Sequence, residues 1–533
     1  MAEFRVAAVF SNNMVLQRDK NVKVFGEGEN GQVVEVSFRD QKVKARVKDE
    51  RWCAVLAPMC AGNSDTMTIS CNEAKVVFCN VAVGEVWLAG GQSNMEFELQ
   101  NCTGGQKVLS EDKNPGVRFY YTQKNAYMNE HFFEAERNSG WSEFGLEAAK
   151  CWSAVGYFFA RRIAAELGVT VGIIGCNWGG TSASAWMDKE TLLRDKELCS
   201  YVKEYEAAIE GKTIEDQMEE YKAYEIYDAE WNRRAAECYA QDPSMSWDEV
   251  LKRCGENKWP GPMGFMNPFR PAGLYECMLK RVMPYTLRGF LYYQGESDDH
   301  KPGMYARLLT EMIIKWRNDW GDLSLPFLMV QLPMHRYEAD PDYKHWCLIR
   351  EAQMQVFETI KNTGIAVALD CGEFNEIHPK DKLPVGERLA LQAMCLVYHK
   401  IEENTAFGPI YRRMKPEGNK LVLEFDYAED GFEIRGDQSG FEIAGEDGVY
   451  YPAAVETDCE EESQISENKG RGILYISSEQ VAAPCHARYC WTNYGPVNYF
   501  GKNKLPLAPF RTDRENTQKT EQENAGIRQV MEL

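Results

Sequence analysis

Ser93 and His378 are the two side chains whose setting in this chain suits nucleophilic chemistry. Ser93 stands in Gly90-Gly91-Gln92-Ser93-Asn94-Met95-Glu96, just after Val83 to Ala89, an apolar run broken only by Gly84 and Glu85. That run reads as a short buried strand. Gly90 and Gly91 break it and let the backbone turn where a side chain would clash. A serine at that point is often only a helix cap. It can equally hold its hydroxyl beyond the carboxyl end of a strand, the usual ligand crevice of an open α/β sheet. His378 lies in Asp370-Cys-Gly-Glu-Phe-Asn-Glu-Ile-His-Pro379, and of seven histidines it alone follows a predicted core strand and precedes a helix. A histidine so placed is the natural general base for the serine.

Two further stretches follow predicted strands. Cys176-Asn-Trp-Gly-Gly-Thr-Ser182 has two glycines that let a backbone amide approach a ligand, as an oxyanion donor must. Tyr292-Tyr-Gln-Gly-Glu-Ser-Asp298 offers the Gln294 amide and the carboxylates of Glu296 and Asp298. A carboxylate pair could point to a glycosidase. Residues two apart at a strand end do not face each other across a sugar, however, and Ser93 would then have no role.

These motifs need a frame that gathers them. From 81 to about 400, strands alternate with helices: helix Trp152–Leu167 ended by Gly168, strand Val169–Gly175, strand Leu287–Tyr293, helix Tyr305–Trp320, strand Phe327–Leu332, helix Leu348–Ile360, strand Ile365–Asp370 and helix Gly386–Tyr398. That alternation predicts a parallel sheet covered on both faces, with every motif at its carboxyl edge. Residues 1–80 read as a small β module, with strands at Val22–Phe25, Val33–Phe38, Val43–Val47, Trp52–Leu56 and Met67–Cys71. Residues 401–512 read as a second β-rich module, with Lys420–Phe425, Phe441–Ile443 and Ile473–Ser477 as strands. An insertion at about 188–261, rich in Glu, Lys and Tyr, reads as solvated helix. Residues 513–533 form a polar tail.

The chain has 533 residues, with 60 basic and 81 acidic side chains and a formal net charge of −21. No basic stripe exists to displace counterions from a nucleic acid. The same negative field gives no help in collecting an anionic substrate, so any such site needs local cations. Seventeen cysteines are scattered without a Cys-x-x-Cys pair, which argues against a zinc site. No apolar segment approaches the ~18–20 residues that span a bilayer. No basic stretch and apolar run mark the start as a signal peptide. A soluble protein of a reducing cytoplasm, with no membrane partner, is the expectation.

The block Gly90–Glu96 resembles the nucleophile block of the sialate O-acetylesterases, a branch of the SGNH hydrolases. Asn177-Trp-Gly-Gly-Thr181 with Ala185-Trp186-Met187, Tyr293-Gln-Gly-Glu-Ser297, Leu348–Gln353, Asn362–Val367 and Ile377-His-Pro-Lys-Asp-Lys382 are similar to later blocks of that family, in the same order. The resemblance implies a flavodoxin-like three-layer α/β/α domain flanked by β-sandwich-like modules. It implies a carbohydrate O-acetylesterase that needs no cofactor or metal and takes an acetylated sugar such as 9-O-acetyl sialic acid. Acetylated xylan or mannan oligosaccharides are the alternative substrates, and a non-catalytic carbohydrate-binding protein is the alternative function. Ser93 would be the nucleophile and His378 the base. The Ser93 amide, Gly180 (rather than Gly179) and Gln294 would form the oxyanion hole. Gln92, Asn94, Trp178, Glu296 and Arg270 would meet the sugar, with Arg270 available for a carboxylate. SGNH enzymes usually carry an aspartate three residues before the histidine, where this chain has Asn375. The expectation is therefore a Ser93–His378 dyad oriented by a carbonyl oxygen, with Glu376 as a secondary acid.

Overall fold

The protein is described by a computed structural model over residues 3–113, 116–242, 245–457 and 472–514. Most of the expected polar tail, 513–533, lies outside the described residues. The chain divides into two units: one of residues 1–121, 139–180 and 284 onward, the other of 122–138 and 181–283.

The first unit is built on one long strand, β1, Ala74–Gly91. Its first half alternates in exposure and pairs antiparallel with Gly62–Cys71 of the N-terminal module. Its second half is wholly buried and parallel to its neighbours on both sides. The pattern follows from burial: a strand covered on one face alternates, and one covered on both reads as a continuous apolar run. The strand passes unbroken through residues 80 and 81, where a module boundary was expected. Glu85 is its one charged residue in the buried half, and its carboxylate accepts hydrogen bonds from Gln17, Arg18 and Arg288. A carboxylate buried this deeply persists because those partners replace its water.

After β1 come helix α1 (Ser93–Glu96), β2 (Val117–Tyr121), α2 (Ala154–Leu167), β3 (Val171–Asn177), β4 (Gly289–Tyr293), α3 (Pro302–Trp320), β5 (Phe327–Gln331), α4 (His345–Thr359), β6 (Thr363–Val367) and α5 (Leu383–Leu396). The parallel sheet runs in the order β2-β3-β1-β4-β5-β6, with Ser142–Glu143 antiparallel against the outer edge of β2. Setting β2 aside, the remaining five strands follow the flavodoxin-like sequence, so the order reverses at β1. The α/β core and its flanking β modules are as the sequence predicts. The edge strand β2 was not foreseen. Gly168, at φ +65°, closes α2 in the left-handed region as expected, while the helix starts at Ala154 rather than Trp152, with Ser153 accepting from the Gly156 amide at 3.0 Å as its cap.

Downstream, two four-stranded antiparallel sheets and a two-stranded ribbon complete this unit. Ile410–Glu417, Lys420–Asp426, Ile473–Ser477 and Ala454–Thr457 form one sheet. Tyr450–Pro452, Phe441–Ala444, His486–Tyr489 and Phe510–Arg511 form the other. The second unit is mainly helical, with helices Lys189–Arg194, Cys199–Ala208, Ile214–Gln241 and Trp247–Cys254. The long helix opens with a reciprocal Thr213–Asp216 capping box, and Trp231, Ala235 and Cys238 pack against Val250 and Cys254. Among the described residues, no helix is long and apolar enough to cross a membrane.

Candidate active site

The carboxyl ends of β1, β3, β4 and β6 bring the four motifs to one edge. Gly91 ends β1 with φ +133°, and a Cβ there would lie 2.1 Å from the Tyr293 carbonyl of β4. Only glycine lets β1 turn so close to its neighbour. The Gln92 amide donates to that same Tyr293 carbonyl at 3.1 Å, and Gln92 Oε1 accepts from the Ser297 amide. Gln92 is the residue before α1, and Ser93 is the first residue of the helix. Ser93 is therefore not the helix cap, and its hydroxyl is not tied to the turn.

That hydroxyl is 2.7 Å from Nε2 of His378. Burial holds the His378 pKa below its ordinary value; Glu376 and Glu96 pull it up, and Lys382 pushes it down. The ring is thus neutral at neutral pH and able to accept a proton. Glu376 Oε1 accepts the His378 backbone amide at 2.8 Å and stands 3.7 Å from Nδ1, beyond hydrogen-bond length. Asn375 turns away: its side-chain oxygen accepts from the Glu338 amide at 3.2 Å.

Gly179 and Gly180 differ in what their amides do. The Gly179 amide donates to Glu96 Oε2 at 2.9 Å, and a Cβ on Gly179 would lie 3.2 Å from that of Ser93. The Gly180 amide has no acceptor among the described residues, and its φ of +74° suits glycine. The Ser93 amide, at the first position of its helix, makes no intrahelical bond. Trp178 is half-buried, with its amide on the Gly91 carbonyl at 3.1 Å.

Beneath Ser93 lies a buried polar chain. Asn94 Nδ2 donates to Glu296 Oε1 at 2.6 Å and to the Ile377 carbonyl at 2.9 Å, while its oxygen accepts from Lys382 Nζ at 2.5 Å. Burial pushes the Lys382 pKa down to about 8, against the pull of Glu296, and pushes that of Glu296 up. Asn94 and Glu296, expected at the sugar, instead lock the Ser93 turn to the His378 loop. Nothing in the motif Ile377–Lys382 marks Lys382 for a role, and only the fold shows that it reaches Asn94 beneath Ser93.

Two other expected residues are re-placed by their bonds. Gln294 is fully buried. Its amide nitrogen donates to Asp298 at 2.6 Å, and its side-chain oxygen accepts from Tyr305 at 2.8 Å. This puts it in the scaffold at the end of β4 rather than in the oxyanion hole. Arg270, in the second unit, donates to the carbonyls of Phe265 and Ala126 at 2.8 and 2.9 Å. Its guanidinium ties two loops of that unit together, so it is not a free cation waiting for a carboxylate.

The fold and the serine–histidine contact define an esterase with an SGNH-like fold of the kind found in carbohydrate esterases. A family described as carbohydrate esterase, sialic acid-specific acetylesterase, matches residues 263–395. The mouse sialate O-acetylesterase is 24% identical over 95% of this chain and 94% of its own length. The human sialate O-acetylesterase is likewise 24% identical, over 95% of this chain and 92% of its own. A crystal structure of a carbohydrate acetylesterase from Xanthomonas citri superposes with a TM-score of 0.73 at 27% identity, covering 96% of this chain and 99% of that one. The chain is thus similar to the sialate O-acetylesterases along most of its length, as its motifs implied.

Proposed function

We propose that the protein removes O-acetyl groups from sialic acid, at the 9-hydroxyl, through a covalent acetyl-serine. The observation that carries the reading is the 2.7 Å contact between Ser93 Oγ and His378 Nε2. His378 takes the Ser93 proton as Oγ attacks the acetyl carbonyl carbon. The amides of Ser93 and Gly180 receive the charge that develops on the carbonyl oxygen. The tetrahedral intermediate collapses, the C–O bond to the sugar breaks, and His378 gives its proton to the departing sugar oxygen. Water then attacks the acetyl-serine with His378 again as base, releasing acetate and restoring Ser93. Glu376 steadies the imidazolium from a distance rather than by a direct hydrogen bond, so the machinery is a dyad with a nearby charge.

Acetylated neutral oligosaccharides are the second reading, supported by the broader name of the Xanthomonas citri structure. A panel of 9-O-acetyl sialic acid, acetylated xylo-oligosaccharides and acetylated manno-oligosaccharides, with acetate release followed by mass spectrometry, decides between them. The sialate reading predicts the highest kcat/KM on the first. A tenfold preference for either neutral sugar overturns it.

A further inference from the structure

We infer that Arg336 is the carboxylate anchor of the substrate. This rests on the sialate reading above and names the residue that would make it specific. Sialic acid carries its carboxylate at the opposite end of the molecule from its 9-hydroxyl. A protein of net charge −21 needs a dedicated cation to hold that end. The cation must stand on the rim of the site, some way from Ser93, with no partner inside the protein.

Arg336 is half-buried, with no ionic partner among the described residues. It lies in the loop after β5, beside the loop after β6 that carries His378, because β5 and β6 are parallel neighbours. The two loops are joined: the Asn375 amide donates to the Arg336 carbonyl at 3.0 Å, and Asn375 Oδ1 accepts from the Glu338 amide. Two residues then separate Asn375 from His378, a reach of at most about 10 Å. The Arg336 guanidinium stacks over Phe374 at 5.6 Å from the ring centroid, and Phe374 packs against Tyr494 at 5.4 Å. Arg336 makes no ion pair and no side-chain hydrogen bond among the described residues, and its Nε is buried without an acceptor. A buried guanidinium N–H with no acceptor is costly unless something supplies one.

The contact with Phe374 holds the guanidinium, and its two terminal nitrogens, with no hydrogen bond among the described residues, are the pair that would receive a carboxylate through two parallel hydrogen bonds. Phe374, 43% exposed, and the half-buried Tyr494 add aromatic surface next to that edge. The same surface offers a sugar ring an apolar face.

The test compares 9-O-acetyl sialic acid with the same sugar in which the carboxylate is converted to a primary amide, acetate release being read in both. For the wild-type protein we expect kcat/KM to favour the free acid at least about tenfold, chiefly through KM, because an anchor binds ground and transition state alike. Arg336→Gln should bring that ratio close to one, and Arg336→Lys should leave an intermediate ratio. Thermal melting checks the fold of each variant; if Arg336→Gln melts early, the wild-type ratio and Arg336→Lys decide. A wild-type ratio near one overturns the anchor while leaving the sialate reading intact. A strong wild-type preference that persists in folded Arg336→Gln overturns it as well. Turnover of acetylated xylo-oligosaccharides with none of acetylated sialic acid removes both.

Discussion

Ser93, His378 and Glu376 are positioned for unequal tasks, and substitution should separate them. Ser93→Ala should retain the fold and lose activity on the order of 10⁶-fold in turnover, because the block Gly90–Glu96 holds no second hydroxyl to replace the proposed attacking group. More than a few per cent of wild-type turnover in pure variant protein would remove Ser93 from the mechanism. Glu376→Gln should cost about tenfold, roughly 1.4 kcal/mol, since its carboxylate lies 3.7 Å from Nδ1 and cannot share the ring proton directly. A loss of three orders of magnitude in folded protein would make it the acid of a full triad. The pH profile has a definite direction. Burial holds the His378 pKa below 6.5, so the base stays neutral, and activity persists, to lower pH than for an unperturbed imidazole. A kcat/KM profile from pH 4 to 8 with its acid midpoint at or above 6.5 would contradict this. At this scale the contact between Ser93 and His378 was legible in the sequence, because motif and strand order together say where a side chain emerges. It did not show which polar groups are already taken. Gln294, Asn94 and Arg270 carry suitable chemistry, but their partners come from segments remote in sequence, and only the folded chain reveals them.

The elements that hold these residues make their own demands. Gly91→Ala should destabilise the protein by about 2–5 kcal/mol, because the added methyl meets the Tyr293 carbonyl and the backbone sits at φ +133°. Urea unfolding checks this, and a shift under 1 kcal/mol would mean that β1 and β4 can part more easily than the geometry implies. The loop after β5 carries a second pH dependence. His335 is buried, and burial lowers its pKa to about 4, against the opposing pull of the Glu373 and Glu376 carbonyls. Its unfolded form takes up a proton near pH 6.5 while the folded form does not. Stability is therefore complete above that pH and falls by on the order of 3 kcal/mol as pH drops from about 6.5 to 4. His335→Phe should flatten that part of the stability curve, measured by urea unfolding at successive pH values; an unchanged slope would place the titrating group elsewhere. Most strands and helices were legible because their apolar periodicity is unbroken. Strand β2 was not, because Arg118 interrupts Val117–Tyr121. In the fold that guanidinium donates to the Asn13 and Asn80 carbonyls and pairs with Glu143, so a charged residue sits comfortably inside a strand.

Over the whole chain, the C-terminal β region is tied to the loop after β5. Asn493 is fully buried; its amide donates to Asp342, its carbonyl accepts the His335 amide, and its side chain binds Asp340 and the Trp346 amide. Asn493→Ala should therefore lower stability by about 2–4 kcal/mol and raise hydrogen exchange across 335–346, the stretch that includes Arg336. Exchange that rises only within the C-terminal strands would show the two regions to be independent. The strand Ala74–Gly91 has a consequence for how the molecule comes into being. Its first half has antiparallel partners that precede it on the ribosome, whereas its second half gains Val171–Asn177 on one edge about 80 residues later and Gly289–Tyr293 on the other only about 200 residues later. The nascent chain must carry an apolar half-strand, with Ser93 at its tip and one edge still unpaired, through the synthesis of nearly two hundred residues, a stage at which exposed strand edges invite aggregation. The N-terminal sheet, able to close early, would anchor that half-strand until its partners arrive. Transplanting or trimming that sheet should thus be felt first as poor yield of native protein rather than as a slower enzyme.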